Sequence, residues 1–274
     1  MKKFFRRHTN TEGGVEQNVG VETSGKKDWF LPASILIAAL LISGSVVYTA
    51  GKKSPENGFG NRPNDNGNAV ANNNGQGGGS VTNMQPITGD DYVRGNPKAR
   101  VKIVEYSDLE CPFCKTFHYT LKQVISNYGN DVAWVFRHAP LDQLHSKARK
   151  EAEALECAGD LGGNDKFWKY MDRLMELTPS NNGLDLAQLP QIAEYIGLNK
   201  SKFDSCLVSG KFSKKVQSQL DNAVKSGFQG TPFSILVVDD VPIAPISGAL
   251  PFTETLPGGQ KNLKQILDEA LKNL

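Results

Sequence analysis

Cys111-Pro112-Phe113-Cys114 is the stretch of this chain whose residue types and spacing can do chemistry. Two thiols separated by two residues can close a small disulfide ring, and a thiolate can open it again. An apolar run, Val101-Lys102-Ile103-Val104-Glu105-Tyr106, precedes the pair, and helical spacing from Lys115 to about Asn127 follows it. This order sets Cys111 at a helix N-terminus, where unpaired N–H groups and the helix dipole favour an anion. Cys111 is therefore the expected nucleophile, with a lowered pKa, and Cys114 the resolving thiol. Pro112 suits the first helical position, where a missing N–H costs nothing.

The same thiols could instead hold a metal. Zinc wants four ligands. His118 lies one helical turn past Cys114, but Cys111 and His118 are two turns, roughly 10 Å, apart along the axis. No second Cys-x-x-Cys completes a set. We expect no metal and no cofactor. Glu105 shares a strand face with Val101 and Ile103 by period-two alternation. A carboxyl on that apolar face should have a raised pKa, unless its strand lies at an edge with the head group in water. Asp108 and Glu110 read as solvated loop carboxylates, and His118 and His138 as structural. Phe167 and Trp168 read as core.

The elements that must position these residues follow from periodicity. Strand-like runs are Val101–Tyr106, Val132–Arg137, Phe233–Val238 and Ile243–Ser247, the last two a hairpin across Asp239-Asp240. Helical spacing marks Leu144–Gly159, Asp165–Leu177, Leu186–Ile196, Ser201–Val208, Lys211–Ser226 and Lys261–Leu274. The order β-α-β, a block of helices, then β-β-α is that of an α/β sandwich with a helical insertion at about 142–226.

The chain has 274 residues and a net charge of +2 with no basic stripe, so no nucleic-acid partner is expected. Residues 1–28 are polar and aperiodic, which predicts a disordered cytoplasmic tail. Trp29–Ala50 is uncharged and mostly apolar, about 22 residues, long enough to cross a bilayer. Basic residues concentrate before it, which puts the N-terminus in the cytoplasm and the remainder outside. A cleaved signal peptide is the competing reading, but its best cut, after Ala50, would put bulky Tyr48 where a small residue is wanted. Residues 51–86 are rich in Asn and Gly and predict a flexible linker. The folded domain is expected over 87–274.

Ile103 to Cys114 resembles the active-site region of the DsbA-like branch of the thioredoxin superfamily. Gly95-Asn96-Pro97-Lys98-Ala99, Phe136-Arg137-His138-Ala139-Pro140-Leu141, Phe167-Trp168 and Gly230-Thr231-Pro232-Phe233 are similar to it in matching order. The resemblance implies a thioredoxin fold and disulfide oxidoreductase activity on exported proteins at the cell membrane, with reoxidation by a quinone-linked membrane partner. It implies a cis peptide at Thr231–Pro232 beside the cysteines; otherwise Pro232 is a plain strand-start residue. It also implies a proton-shuttling role for Glu105. In such a compartment Cys157 and Cys206 are expected to form a structural disulfide, reduced buried thiols being the other reading. Phe113 departs from the histidine that strongly oxidising members often carry. Disulfide donation is the leading expectation. A reductase or isomerase with the same site comes second, and a folding helper or metal-binding module third.

Overall fold

The computed structural model describes residues 80–274. The expected tail, the Trp29–Ala50 anchor and all of the linker before Ser80 lie outside the described residues. Among those described, no helix is long and apolar enough to cross a membrane.

Five strands form one mixed sheet: β1 (Tyr92–Gly95), β2 (Val101–Ser107), β3 (Val132–His138), β4 (Phe233–Val238) and β5 (Val241–Ser247), in the order β1-β3-β2-β4-β5. β2 and β3 are parallel, joined through helix α1 (Pro112–Tyr128), and the other pairings are antiparallel. A parallel pair needs such a crossover. Every residue of β2 is buried, as a central strand covered on both faces requires. Asp239 and Asp240 both take positive φ (49° and 63°), the conformation a two-residue hairpin demands.

One sheet face carries Val101, Ile103, Trp134 and Phe136 against Phe117, Leu121 and Val124 of α1. The opposite face carries Val104, Tyr106, Val135 and Ile235 with Met84 and Ala223. The remaining helices are α2 (Ala148–Leu177), α3 (Leu189–Tyr195), α4 (Lys200–Ser209), α5 (Ser213–Lys225) and α6 (Leu263–Lys272). The two helices expected over 144–177 form the single span α2, broken at Gly163, whose φ of 70° only glycine adopts readily. Cys157 on α2 is disulfide-bonded to Cys206 on α4, with Cα atoms 5.9 Å apart and a sequence separation of 49. In chain-entropy terms a closure of that length stabilises by about 4 kcal/mol.

Three boundaries differ from the sequence reading. Helix α5 packs on the sheet through Ala223, so it is a layer of the sandwich and the insertion ends before it. Residues 80–86, read as linker, pack on the domain. The Ser80 N–H donates to Lys225 O at 3.1 Å, and the Asn222 side chain bonds both Gln85 N and Asn83 O. That attachment depends on a side chain 137 positions away, which local composition does not reveal. Strand β1 was not anticipated: four residues ending in glycine are too short for alternation to register.

Candidate active site

β2 ends at Ser107, and a short loop delivers Cys111 as the N-cap of α1, with Pro112 in its first turn. Cys111 and Cys114 are free thiols. Cys111 is 4% exposed, Cys114 is fully buried behind it, and Phe113 between them is 66% exposed. The loop before β4 crosses this helix end. Its Thr231–Pro232 peptide is cis, and the Cys111 thiol donates to Thr231 O at 3.6 Å. Cys114 Sγ accepts from Asp108 N–H at 3.4 Å.

The two sulfurs are electrostatically unequal. The Cys114 thiol donating to its sulfur, helped by Thr231 and the N–H groups of Cys114 and Phe113, pulls Cys111 down to about 6 against the effect of burial. Burial, then the Cys111 thiolate, pushes Cys114 well up. The Thr231 hydroxyl is buried and closes no hydrogen bond among the described residues. Such an arrangement keeps one sulfur nucleophilic and the other a thiol.

Glu105 sits on the face beneath α1 and is 1% exposed. It is therefore in the interior of the sheet and not at an edge. Burial pushes its carboxyl up to about 7, opposed by the nearby Ser107 hydroxyl and by the Trp134 N–H. The Trp134 indole N–H donates to Glu105 Oε2 at 2.8 Å. Sequence reasoning passed over Ser107 and Trp134. The signal available was register, since a residue two positions from Glu105 on its own strand and an aromatic on the adjacent β3 share its face.

Asp108 and Glu110 are buried, contrary to the solvated reading. Asp108 accepts from Glu110 N, Leu141 N and His145 Nδ1. Glu110 accepts from Gly183 N at 3.2 Å and Leu184 N at 3.3 Å, and its carbonyl from Asn181 N. These bonds clamp the cysteine loop to the insertion, which is why nearby carboxylates can be removed from water. Glu151, fully buried, lies against Glu110, although neither of its oxygens closes a strict hydrogen bond. Burial, then the facing Glu110 carboxylate, pushes Glu151 up to about 10. An acid whose pKa rises on folding costs stability from its unfolded value upward, here from about 4.5 towards 10. Glu151→Gln removes that cost. Its urea midpoint should exceed wild type's at pH 7, and the gap should close towards pH 4, where Glu151 is neutral in the folded chain and mostly so in the unfolded one.

His118 is buried, with Nε2 2.9 Å from Asp172 Oδ1. His138 lies 3.2 Å from Glu156. Phe167 and Trp168 are core. Among the described residues, no group of three or more His, Cys, Asp and Glu is placed to hold a metal ion.

A strand-loop-helix dithiol facing a cis-proline loop, with helices inserted after β3, is the architecture of the DsbA-like thiol–disulfide oxidoreductases. The chain belongs to the Thioredoxin family, whose model matches residues 88–247. DsbA2 of Pseudomonas aeruginosa is similar in structure, with a TM-score of 0.53 and 27% identity, covering 67% of this chain and 96% of that one. Oxidised BdbD of Bacillus subtilis has a TM-score of 0.55 at 23% identity, covering 70% and 99%, and shares the fold. Among curated proteins, the Na(+)/H(+) antiporter NhaA 1 of Salinispora arenicola is 34% identical over 159 residues, 56% of this chain. The chain spans only 23% of that antiporter's length.

Proposed function

We propose that this chain is a thiol–disulfide oxidoreductase that donates disulfides to exported proteins. Trp29–Ala50 holds it at the cell membrane with the catalytic domain outside the cytoplasm. The observation that carries the chemistry is the Cys111 sulfur, set on a helix N-cap 3.6 Å from Thr231 O with Cys114 buried behind it. A substrate thiolate attacks Cys111 Sγ of the oxidised pair, forming a mixed disulfide and releasing Cys114 as thiolate. The substrate's second thiolate then attacks the substrate sulfur of the mixed disulfide. Cys111 leaves as thiolate, the substrate gains its disulfide, and the enzyme carries away two electrons. The cis-proline turn leaves the Thr231 backbone available to pair with an extended substrate segment. A quinone-linked membrane partner reoxidises the dithiol.

The sulfur asymmetry supports this direction. A Cys111 thiolate stabilised in the reduced enzyme makes the oxidised form the stronger oxidant. Phe113, whose side chain offers no hydrogen-bond donor, favours the second reading, a reductase or isomerase. Equilibration of the full chain in detergent with glutathione buffers separates them. A potential nearer the roughly −120 mV of a strong oxidant supports donation, and one at or below about −270 mV supports reduction.

A further inference from the structure

When the disulfide opens, Cys114 leaves as an anion in a fully buried position, and the chain must deliver a proton to it. We propose that Trp134, as a positioning residue, and Ser107, as a proton relay, carry the Glu105 proton to Cys114 Sγ. This rests on the exchange reaction proposed above.

The geometry is specific. An indole N–H can donate and cannot accept. Trp134 donates to Glu105 Oε2 at 2.8 Å, so that oxygen presents a lone pair whether Glu105 is charged or neutral. The acid proton of neutral Glu105 is consequently carried on Oε1. Ser107, two residues along β2, is 2% exposed, and its hydroxyl closes no strict hydrogen bond. It lies against both the Glu105 carboxyl and the Cys114 sulfur. A hydroxyl both accepts and donates, so it can take the proton from Oε1 while giving its own to the sulfur. The step balances: Glu105 carboxylic acid and Cys114 thiolate become carboxylate and thiol, and Ser107 ends as it began.

The groups that face Glu105 complete the environment. Cys111 and Cys114 approach from α1, and Ser234, its register partner on β4, adds a second buried hydroxyl. Trp134 separates Glu105 from the charged set beyond. Arg94 stacks 5.5 Å from the Trp134 ring and His118 lies 5.3 Å from it, both engaged with Asp172. An acid near 7 facing Cys114 is poised to give its proton at neutral pH.

The test is the pH–rate profile for reduction of the oxidised full chain by dithiothreitol, in Trp134→Phe, Ser107→Ala and Glu105→Gln, singly and combined. Trp134→Phe removes a donor that favours the carboxylate, and the inflection belonging to Glu105 should rise by about one pH unit. Ser107→Ala should slow the reaction about tenfold near neutrality. Neither change should add to Glu105→Gln. Additive effects, or an inflection unmoved by Trp134→Phe, overturn the proposal. Should Trp134→Phe fail to fold, the non-additivity of Ser107→Ala with Glu105→Gln decides alone. If the wild-type chain exchanges no disulfide at any pH, the reading of the reaction itself has failed instead.

Discussion

Replacing Cys111 with serine should abolish disulfide exchange, whereas replacing Cys114 with alanine should remove the internal disulfide but leave a Cys111 thiolate that attacks substrate disulfides and stops at the mixed disulfide. The two thiols occupy different electrostatic positions. With a pKa of about 6, Cys111 is almost wholly thiolate at pH 7. An ordinary cysteine near 8.5 is only a few per cent ionised there. Serine cannot supply that anion, and Cys114, fully buried with its pKa pushed well up, cannot replace it. In Cys114→Ala a mixed disulfide at Cys111 loses its internal resolving thiol, so covalent complexes accumulate. Non-reducing gels of cells expressing each variant provide the readout: thiol-sensitive higher-mass species with Cys114→Ala and none with Cys111→Ser. Exchange at the wild-type rate in Cys111→Ser would remove the catalytic assignment.

The same asymmetry has a pH consequence. A thiol whose folded pKa is depressed contributes stability above its unfolded value, and that contribution disappears as pH falls through about 6. It belongs to the reduced chain alone. The stability gap between reduced and oxidised protein should therefore shift towards the oxidised form on acidification.

Local patterns made much of this molecule legible. The alternation and apolar run of β2, the Cys-x-x-Cys and Pro112 at the head of α1, and the Asp239-Asp240 turn each express their structure within a few residues. Glu105 was placed on the correct face because a strand has a strict period of two. Long-range features were not legible in this way. Asp108 and Glu110 look solvated in sequence because acidic loop residues usually are. They are buried here because Leu141, Gly183 and Leu184 bring backbone N–H groups to them from 33 to 74 positions away. Trp134 reads as another core aromatic until β3 lies beside β2 and its N–H meets a carboxylate.

Arg137 is the long-range feature on which most polar groups depend, and replacing it should destabilise the fold more than any other single polar change discussed. It is 3% exposed. Its Nε and Nη2 donate to the two Asp91 oxygens at 2.9 and 3.0 Å, and its remaining N–H groups reach Gln85 O, Pro86 O and Tyr106 Oη. One guanidinium thus closes the segment before β1 onto β2 and β3. Arg137→Met keeps most of the volume but leaves a carboxylate and two carbonyls without their partner. Breaking a buried pair from one side costs roughly 3–5 kcal/mol, largely through the charge left behind. Asp91→Asn in the Arg137→Met background removes that charge and should restore part of the loss, which separates the stranded carboxylate from the lost packing. Urea denaturation measures the total, and amide exchange shows whether residues 80–91 open before the sheet. An unchanged midpoint in Arg137→Met would mean that the desolvation of these ions cancels their attraction. The attachment of residues 80–86 would then rest on Asn222, the Lys225 carbonyl and the buried Met84.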